Sequence, residues 1–252
     1  MEKLSVVIIT YNEEKNIRRC LDSVKEIADE IVVIDSFSKD DTEKICRENG
    51  AVFIQNVFEG YQKQKTFALT QAHFDCILSL DADEEVSVEL KRSILQVKQN
   101  WTADAYQMNR LTNYCGKWIH YTGWYPDRKI RLFKRQKAIW QGTNVHESIA
   151  LTENAILQTL KGNLLHYSFY SISQHLNKLN QYTDIGAQVA FEKGKRVGLL
   201  KIILGPFWKF FQAYFLRLGF LDGYYGFVIS VIIAFEAFAK YTKIRDLNKL
   251  TD

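Results

Sequence analysis

The chain has 252 residues, a mild net charge of +4 and four cysteines, and nearly half of its residues are hydrophobic. This length suits one domain, or a domain with an appendage, and can bury a sizeable core. The cysteines lie far apart without a CxxC pair, and the chain opens with a strand-like run rather than a charged and then apolar leader. We therefore predict a reduced cytosolic protein without disulfides or a signal peptide.

Strand-like and helix-like segments alternate from the first residues onward. "LSVVIITY" is a continuous β-branched run, typical of a strand covered on both faces. Asn12 then offers a helix cap, and Ile17, Leu21 and Val24 follow at helical spacing. Further strands are predicted at "EIVVIDS", "AVFI" and "DCILSLDA", with helices at "KDDTEKICREN" and "YQKQKTFALTQAH". This alternation predicts an α/β fold with a mostly parallel sheet and helices on both faces.

Three side chains stand where the predicted parallel strands end: Tyr11, Asp35 and Asp81. Open α/β sheets bind their ligands at the carboxyl ends of the strands, so these residues mark the expected site. From about Trp101 the pattern changes to strand-like pieces, "DAYQMNR", "RKIRLFKR" and "LLHYSF", separated by aromatic-rich loops. We expect an antiparallel extension that carries the second half of the site.

The stretch "ILSLDADEEV" ends a predicted buried strand in a cluster of carboxylates. Such a cluster must be solvated, capped or neutralised by a cation. On extended backbone Asp81 and Asp83 point to the same side, so they can share a divalent cation or divide the work between a metal and a ribose hydroxyl. The alternative is a solvated acidic turn capping the helix that starts near Ser87.

The last part of the chain, from about Gly198, is rich in Leu, Ile, Phe, Tyr and Trp, and from Lys193 onward ten Lys and Arg face four Asp and Glu. Gly223 to Ala239 comes closest to the roughly 20 charge-free residues of a membrane span, but Glu236 interrupts it. Cations recur at a spacing of eight beside aromatic residues, at Lys201, Lys209 and Arg217. This pattern favours amphipathic helices lying on an anionic membrane.

Several ordered motifs resemble the inverting family 2 glycosyltransferases with the GT-A fold: "SVVIITYNEEKNI", "VVIDSFSKDDT", "QKTFAL" and "ILSLDADEEV". "WYPDRKIRLFKR" and "WQGTNVHE" are similar to the subgroup that includes lipopolysaccharide core glucosyltransferases of the WaaE type. The resemblance implies a GT-A domain and a membrane-associating tail. The change of composition near Gly198 places the domain at residues 1–197 and the helical segment at residues 198–252.

The resemblance also implies a donor site. Tyr11 would lie against the nucleotide base, Asp35 would hydrogen-bond the base, Lys65 would lie near the nucleotide, Asp81 near the ribose, and Asp83 on a Mg²⁺ or Mn²⁺ ion. An aromatic face stacks on a base and a carboxylate accepts an imide N–H, which favours a UDP-sugar. The alternatives are an edge aromatic for Tyr11, a turn acid for Asp35 and a solvated lysine for Lys65.

An inverting transfer requires a base for the acceptor hydroxyl, and the candidates are Glu147 and Asp127. The alternatives are a surface ion pair for Glu147 and a turn acid for Asp127. The neighbouring His146 is a candidate third metal ligand or a structural histidine. Arg131 would meet an anionic substrate group, or share a solvated strand face with Lys129. Glu84 would face solvent or a basic neighbour.

We therefore predict a peripheral enzyme on the cytoplasmic face of the inner membrane. It would move one hexose from a UDP-sugar to a lipid-linked or lipopolysaccharide-core glycan, since the resemblance does not extend to the motif and spans of processive synthases. We expect a membrane surface as partner and no nucleic acid. The alternatives are a nucleotidyltransferase, although the phosphate loop of such enzymes is not visible, and a catalytically inactive nucleotide-sugar or lipid-binding protein.

Overall fold

The computed structural model describes residues 1–142 and 147–249, and the chain forms two compact units. The first unit comprises Met1–Arg110 and Asp127–Tyr167, and the second comprises Leu111–Pro126 and Ser168–Asp252. The domain division predicted between residues 197 and 198 rests on composition and stays a prediction.

Eleven strands are formed by the described residues. They are β1 (Leu4–Thr10), β2 (Glu30–Asp35), β3 (Val52–Gln55), β4 (Cys76–Asp81), β5 (Glu84–Val86), β6 (Ala105–Tyr114), β7 (Lys117–Ile119), β8 (Asp127–Lys134), β9 (Ala138–Gln141), β10 (Ser148–Leu151) and β11 (Leu157–Phe169). The main sheet has the order β3-β2-β1-β4-β8-β6-β11-β5, with β7 paired to β6, while β9 and β10 form a separate hairpin.

The first four strands of the sheet are parallel and continue into an antiparallel extension, as the sequence predicts. β1 pairs in parallel with β2 and β4, and β2 pairs in parallel with β3. β8 is antiparallel to both β4 and β6, and β5 is antiparallel to β11. The GT-A type of α/β fold is thus confirmed for the first unit.

The described part of the chain also forms seven α-helices. They are α1 (Ile17–Val24), α2 (Thr42–Glu48), α3 (Tyr61–Gln71), α4 (Val88–Gln99), α5 (Ile172–Glu192), α6 (Leu199–Phe211) and α7 (Gly223–Lys249). Ser87 and Ser171 begin α4 and α5 as N-caps, since their hydroxyls accept hydrogen bonds from the N–H groups three residues on.

Hydrophobic cores form on both faces of the parallel sheet, because successive side chains of a strand point to opposite sides. Val6 and Ile8 of β1 pack with α1 and α4, while Val7 and Ile9 pack with α3 and β9. The helices on both faces confirm the doubly covered sheet expected from the continuous apolar strands.

The helix cap predicted at Asn12 is wrong. α1 begins at Ile17, and Asn12 adopts a left-handed conformation with φ of 54°. Its side-chain Oδ1 accepts a hydrogen bond from the backbone N–H of Lys39 at 2.8 Å. Asn12 therefore joins the loops that follow β1 and β2 instead of capping a helix, since asparagine tolerates the left-handed region better than most residues.

The second unit contains α5, α6, α7 and the β7 hairpin. Two of its segments, Leu199–Leu216 and Gly219–Lys249, are long and apolar enough to cross a membrane by length and composition. The sequence prediction of helices that lie on the membrane is not tested by this criterion. Long apolar helices in this part of the chain are confirmed.

Candidate active site

The parallel register brings the predicted strand-end residues to one edge of the sheet. Thr10 of β1 pairs with Asp35 of β2, and Ile9 pairs with Asp81 of β4. Tyr11 directly follows β1, and its side chain is 55% exposed. A solvent-accessible ring at this edge is available for stacking on a ligand.

Asp35 is fully buried and accepts a hydrogen bond from the backbone N–H of Ser38 at 2.8 Å, and the Ser38 hydroxyl also donates to it. These bonds stabilise the turn after β2, so the turn-acid alternative describes the contacts of Asp35 in this structure. Binding of a nucleotide base by Asp35 stays a prediction.

Lys65 joins two distant parts of the first unit. Its side chain is only 2% exposed, and its Nζ lies 2.9 Å from Asp81 Oδ1 and 3.0 Å from Glu147 Oε1. The ammonium also lies 4.7 Å from the centre of the Trp140 ring. The solvated-lysine alternative is therefore wrong, because α3 directs Lys65 inward toward the end of β4.

Arg131 forms the second cationic contact of Asp81. Its Nη2 lies 2.8 Å from Asp81 Oδ2 and 2.7 Å from Glu84 Oε1, and both Arg131 and Glu84 are buried. Glu84 Oε2 accepts a hydrogen bond from the backbone N–H of Asp81 at 3.0 Å. The predicted solvated face for Arg131 is wrong, and of the two alternatives for Glu84 the basic neighbour is correct.

Electrostatics explain how the strand can end in acids. Burial alone would raise the pKa of Asp81, but Lys65 and Arg131 outweigh it and hold that pKa far below its ordinary value. For Arg131, burial opposes protonation, while Glu84 and Asp81 together raise the pKa of the guanidinium. Protein cations thus compensate Asp81 and Glu84 in this structure.

Asp83, two residues after Asp81, pairs with a histidine of β11. Its Oδ2 lies 3.3 Å from His166 Nε2, with the two side chains 20% and 14% exposed respectively. The backbone N–H of Tyr167 donates to the Asp83 carbonyl at 2.9 Å and fixes the turn. Asp81 and Asp83 therefore have different partners, although the strand pattern predicted one shared direction, because the chain turns between β4 and β5.

Asp83 could supply one carboxylate ligand to a metal ion. Within residues 1–142 and 147–249, no group of three or more His, Cys, Asp or Glu is arranged to hold a metal ion. Mg²⁺ in nucleotide-binding enzymes is commonly held by one or two carboxylates with substrate phosphates and water. The accessible Asp83 carboxylate satisfies that smaller requirement. The predicted ligand His146 lies outside the described residues.

Asp127 is paired with two cations, since its carboxylate lies 2.8 Å from Arg110 Nη2 and 3.0 Å from Lys129 Nζ. Arg110 also reaches Glu84 at 3.5 Å, so it connects Asp127 to the ion-pair network. Sequence reasoning missed Arg110. Its partner became recognisable only from the antiparallel register, which places Arg110 opposite Asp127.

Comparison with known proteins defines the class of this chain. The family model described as Glycosyl transferase family 2 matches residues 5–158. An uncharacterised glycosyltransferase of Rickettsia typhi is 35% identical over 258 residues, which cover 98% of this chain and 88% of that protein. The chain therefore belongs to glycosyl transferase family 2, and it is a glycosyltransferase.

A named relative narrows the comparison. The lipopolysaccharide core biosynthesis glycosyltransferase LpsC of Rhizobium meliloti is 29% identical over 264 residues, which cover 98% of this chain and 93% of LpsC. Among solved structures, glucosyl-3-phosphoglycerate synthase from Mycobacterium tuberculosis superposes with a TM-score of 0.36 at 21% identity over 44% of each chain. Because this superposition is so partial, we base no conclusion on it.

Proposed function

We propose that this protein transfers one hexose from a UDP-sugar to a lipid-linked or lipopolysaccharide-core glycan with inversion at the anomeric carbon. The likeness to LpsC over nearly the whole chain supports this class of acceptor. The exposed Tyr11 ring at the sheet edge supports stacking on a nucleotide base. In the proposed complex with uracil, Asp35 would accept the imide N–H in place of its contacts with Ser38.

The contact that carries the proposal is the ammonium of Lys65 shared between Asp81 and Glu147. It puts a candidate base beside the strand end where a GT-A sheet binds its donor. Asp127 instead pairs with Arg110 and Lys129. We therefore assign the role of general base to Glu147. Asp127 is the alternative, and substitution of each residue in turn distinguishes the two assignments.

In the proposed reaction, the acceptor hydroxyl oxygen attacks the anomeric carbon from the face opposite the nucleotide. The bond between that carbon and the phosphate oxygen breaks, and its electron pair leaves with the diphosphate. Glu147 takes the hydroxyl proton. A Mg²⁺ or Mn²⁺ ion held by Asp83 and the substrate phosphates would stabilise the charge of the leaving diphosphate.

We also propose that the enzyme works at the cytoplasmic face of the inner membrane, associated with the bilayer through its apolar C-terminal helices. Two apolar helices and the likeness to LpsC support membrane association. The family assignment decides against the nucleotidyltransferase alternative. An inactive donor-binding protein is an outcome that the following experiment would reveal.

The test is a donor screen with the purified full chain, Mn²⁺ or Mg²⁺ and a panel of nucleotide sugars, following nucleotide diphosphate release with and without a membrane lipid extract. We expect metal-dependent UDP release from one donor, stimulated by the extract, and a product of inverted anomeric configuration by NMR. Glu147→Gln should abolish transfer, whereas Asp127→Asn should retain it. Retained configuration, or donor binding without turnover, would contradict the proposal.

A further inference from the structure

The two long apolar helices of the second unit each present a hydrophobic stripe to the outside. On α7 the stripe recurs every three or four residues, with exposed fractions between 44% and 68%: Tyr224, Phe227, Val231, Phe235 and Phe238. On α6 the stripe has exposed fractions between 43% and 75%: Leu200, Leu204, Phe207, Trp208 and Phe211. We use the name apolar face for these ten residues of the two stripes taken together. A patch of this kind marks an interaction surface.

One flank of α7 is covered lengthwise by α5. Near the start of both helices, Ile172 and Tyr225 belong to one cluster of packed side chains. Near their ends, Ala190 packs in a cluster with Ile244. The helices thus run in parallel from Ile172 to Ala190, which corresponds to about 27 Å at 1.5 Å per residue.

α5 carries an exposed polar stripe along this length. Its members recur every three or four residues: Gln174, Asn177, Gln181, Asp184, Gln188 and Glu192. If α7 crossed a bilayer, α5 would enter the hydrocarbon with it, and these amides and carboxylates would lose their water; the pairs Asp184–Lys243 and Gln188–Glu192 replace only part of those hydrogen bonds. The packing therefore opposes a crossing orientation, although α7 is long enough for one.

Helices α6 and α7, joined by a short connection, form a helical hairpin, and the connecting end of this hairpin contacts polar groups. Asp222, in the turn between α6 and α7, is buried and accepts hydrogen bonds from the backbone N–H groups of His120 at 3.2 Å and Tyr121 at 2.8 Å. Lys117 Nζ donates to the Asp222 carbonyl. A crossing hairpin would have to carry this segment through the membrane as well.

The apolar face is accompanied by cations. Lys193, Lys195 and Arg196 are exposed in the loop that precedes α6, and Lys201 is exposed in its first turn. The acids Glu192 and Glu236 are also exposed nearby, so cations are in excess around the face. Basic residues beside exposed aromatic and aliphatic side chains match the surface of an anionic bilayer.

We propose that α6 and α7 lie in the plane of an anionic bilayer and embed the apolar face at the boundary of headgroups and acyl chains, without crossing. This inference deepens the membrane association proposed above and does not depend on the catalytic roles. The proposed partner of the apolar face is an anionic bilayer, because its acyl chains match the apolar stripes and its headgroups match the flanking cations.

The first test is flotation of the purified full chain with vesicles of phosphatidylcholine alone or with phosphatidylglycerol. We expect binding that increases with phosphatidylglycerol and that falls by about tenfold or more in the Phe207→Asp/Trp208→Asp double variant. Gln181→Asp, on the polar stripe of α5, should bind as the parent does. An unbound chain that sediments as a dimer would overturn the proposal and identify the face as an interface between copies.

The second test separates lying from crossing. Single cysteines replace Lys195, at the basic end of the hairpin, and His120, beside its connecting end, and an impermeant maleimide is added to vesicles carrying the protein on the outside. We expect both introduced cysteines to react with the maleimide added outside. The parent chain, treated in the same way, measures the background reaction of its native cysteines. Protection of one site until detergent is added would overturn the in-plane orientation. Donor turnover, measured in parallel, shows separately whether the catalytic proposal holds.

Discussion

Lys65 Nζ lies 3.0 Å from Glu147 Oε1, although the two residues are 82 positions apart in the chain. Lys65 is nearly inaccessible to solvent, and the same ammonium contacts Asp81 at the end of β4. Removing one partner of a buried ion pair leaves uncompensated charge. Both carboxylates therefore depend on the Lys65 ammonium to remain partly buried in the fold.

Replacement of Lys65 by methionine should therefore impair folding and activity together. We expect Lys65→Met to reduce the free energy of unfolding by about 3 kcal/mol, measured by urea denaturation, and to lower transfer activity strongly. The double variant Lys65→Met/Glu147→Gln should regain part of the stability, because it removes one stranded carboxylate, but no activity. If the effects of the two substitutions on stability simply added, the ion pair would not be coupled in solution.

Asp83 should govern the response to metal without governing folding. In Asp83→Asn we expect loss of metal-dependent donor turnover and of the thermal stabilisation that Mn²⁺ with UDP gives the parent, while the unfolding free energy changes little because the side chain is partly exposed. The matched control is Glu85→Gln in the same acidic stretch, where the carboxylate accepts a hydrogen bond from Tyr167 at 2.7 Å. Undiminished metal-dependent turnover in Asp83→Asn would remove the metal assignment.

Glu84 should behave as a structural residue. It is buried between Arg131 and the backbone N–H of Asp81. Glu84→Gln leaves the Arg131 charge with one carboxylate fewer, so we expect a loss of about 3 kcal/mol in unfolding free energy by urea denaturation. Residual protein that is folded should still bind UDP. If the denaturation midpoint were unchanged, water rather than Glu84 would compensate the charge of Arg131.

His175 should make stability depend on pH. Burial, helped by Lys178, lowers the pKa of His175 to about 4, against about 6.5 in an unfolded chain. Its contribution to stability is therefore fully present above pH 6.5 or so and is lost as the pH falls toward 4 or so, because only the unfolded state binds the proton in that window. In His175→Gln we expect a smaller decrease in unfolding free energy between pH 7 and pH 5. An identical decrease in both proteins would refute the assignment.

The first turn of α7 should tolerate no side chain at Gly226. A Cβ there would lie 1.8 Å from the carbonyl oxygen of Gly219, whereas a Cβ at Gly198, before α6, meets nothing within 4 Å. We expect Gly226→Ala to cost about 2 kcal/mol or more through overpacking, and Gly198→Ala to change stability by no more than about 0.5 kcal/mol. Thermal unfolding of the two variants beside the parent is the measurement. Equal melting temperatures would mean that the turn relaxes freely.

Much of the first unit follows from local sequence patterns. The β-branched run of β1, the helical spacing of Ile17, Leu21 and Val24, and the acids after β4 are properties of neighbouring residues, so periodicity alone predicts them. Parallel strands end at a common edge, and this alone predicts that Tyr11, Asp35 and Asp81 lie together.

The partners of the charged residues were decided only by the tertiary structure. Arg110 and Asp127 meet through an antiparallel register, and Lys65 meets Glu147 through the packing of α3 against β1 and β9. A sequence shows which charges exist, but pairing across 82 positions depends on the burial and geometry of every element between them. For the same reason the sequence determined that the C-terminal helices are apolar, whereas the packing of α7 against α5 decides which of its sides are buried and which stay exposed.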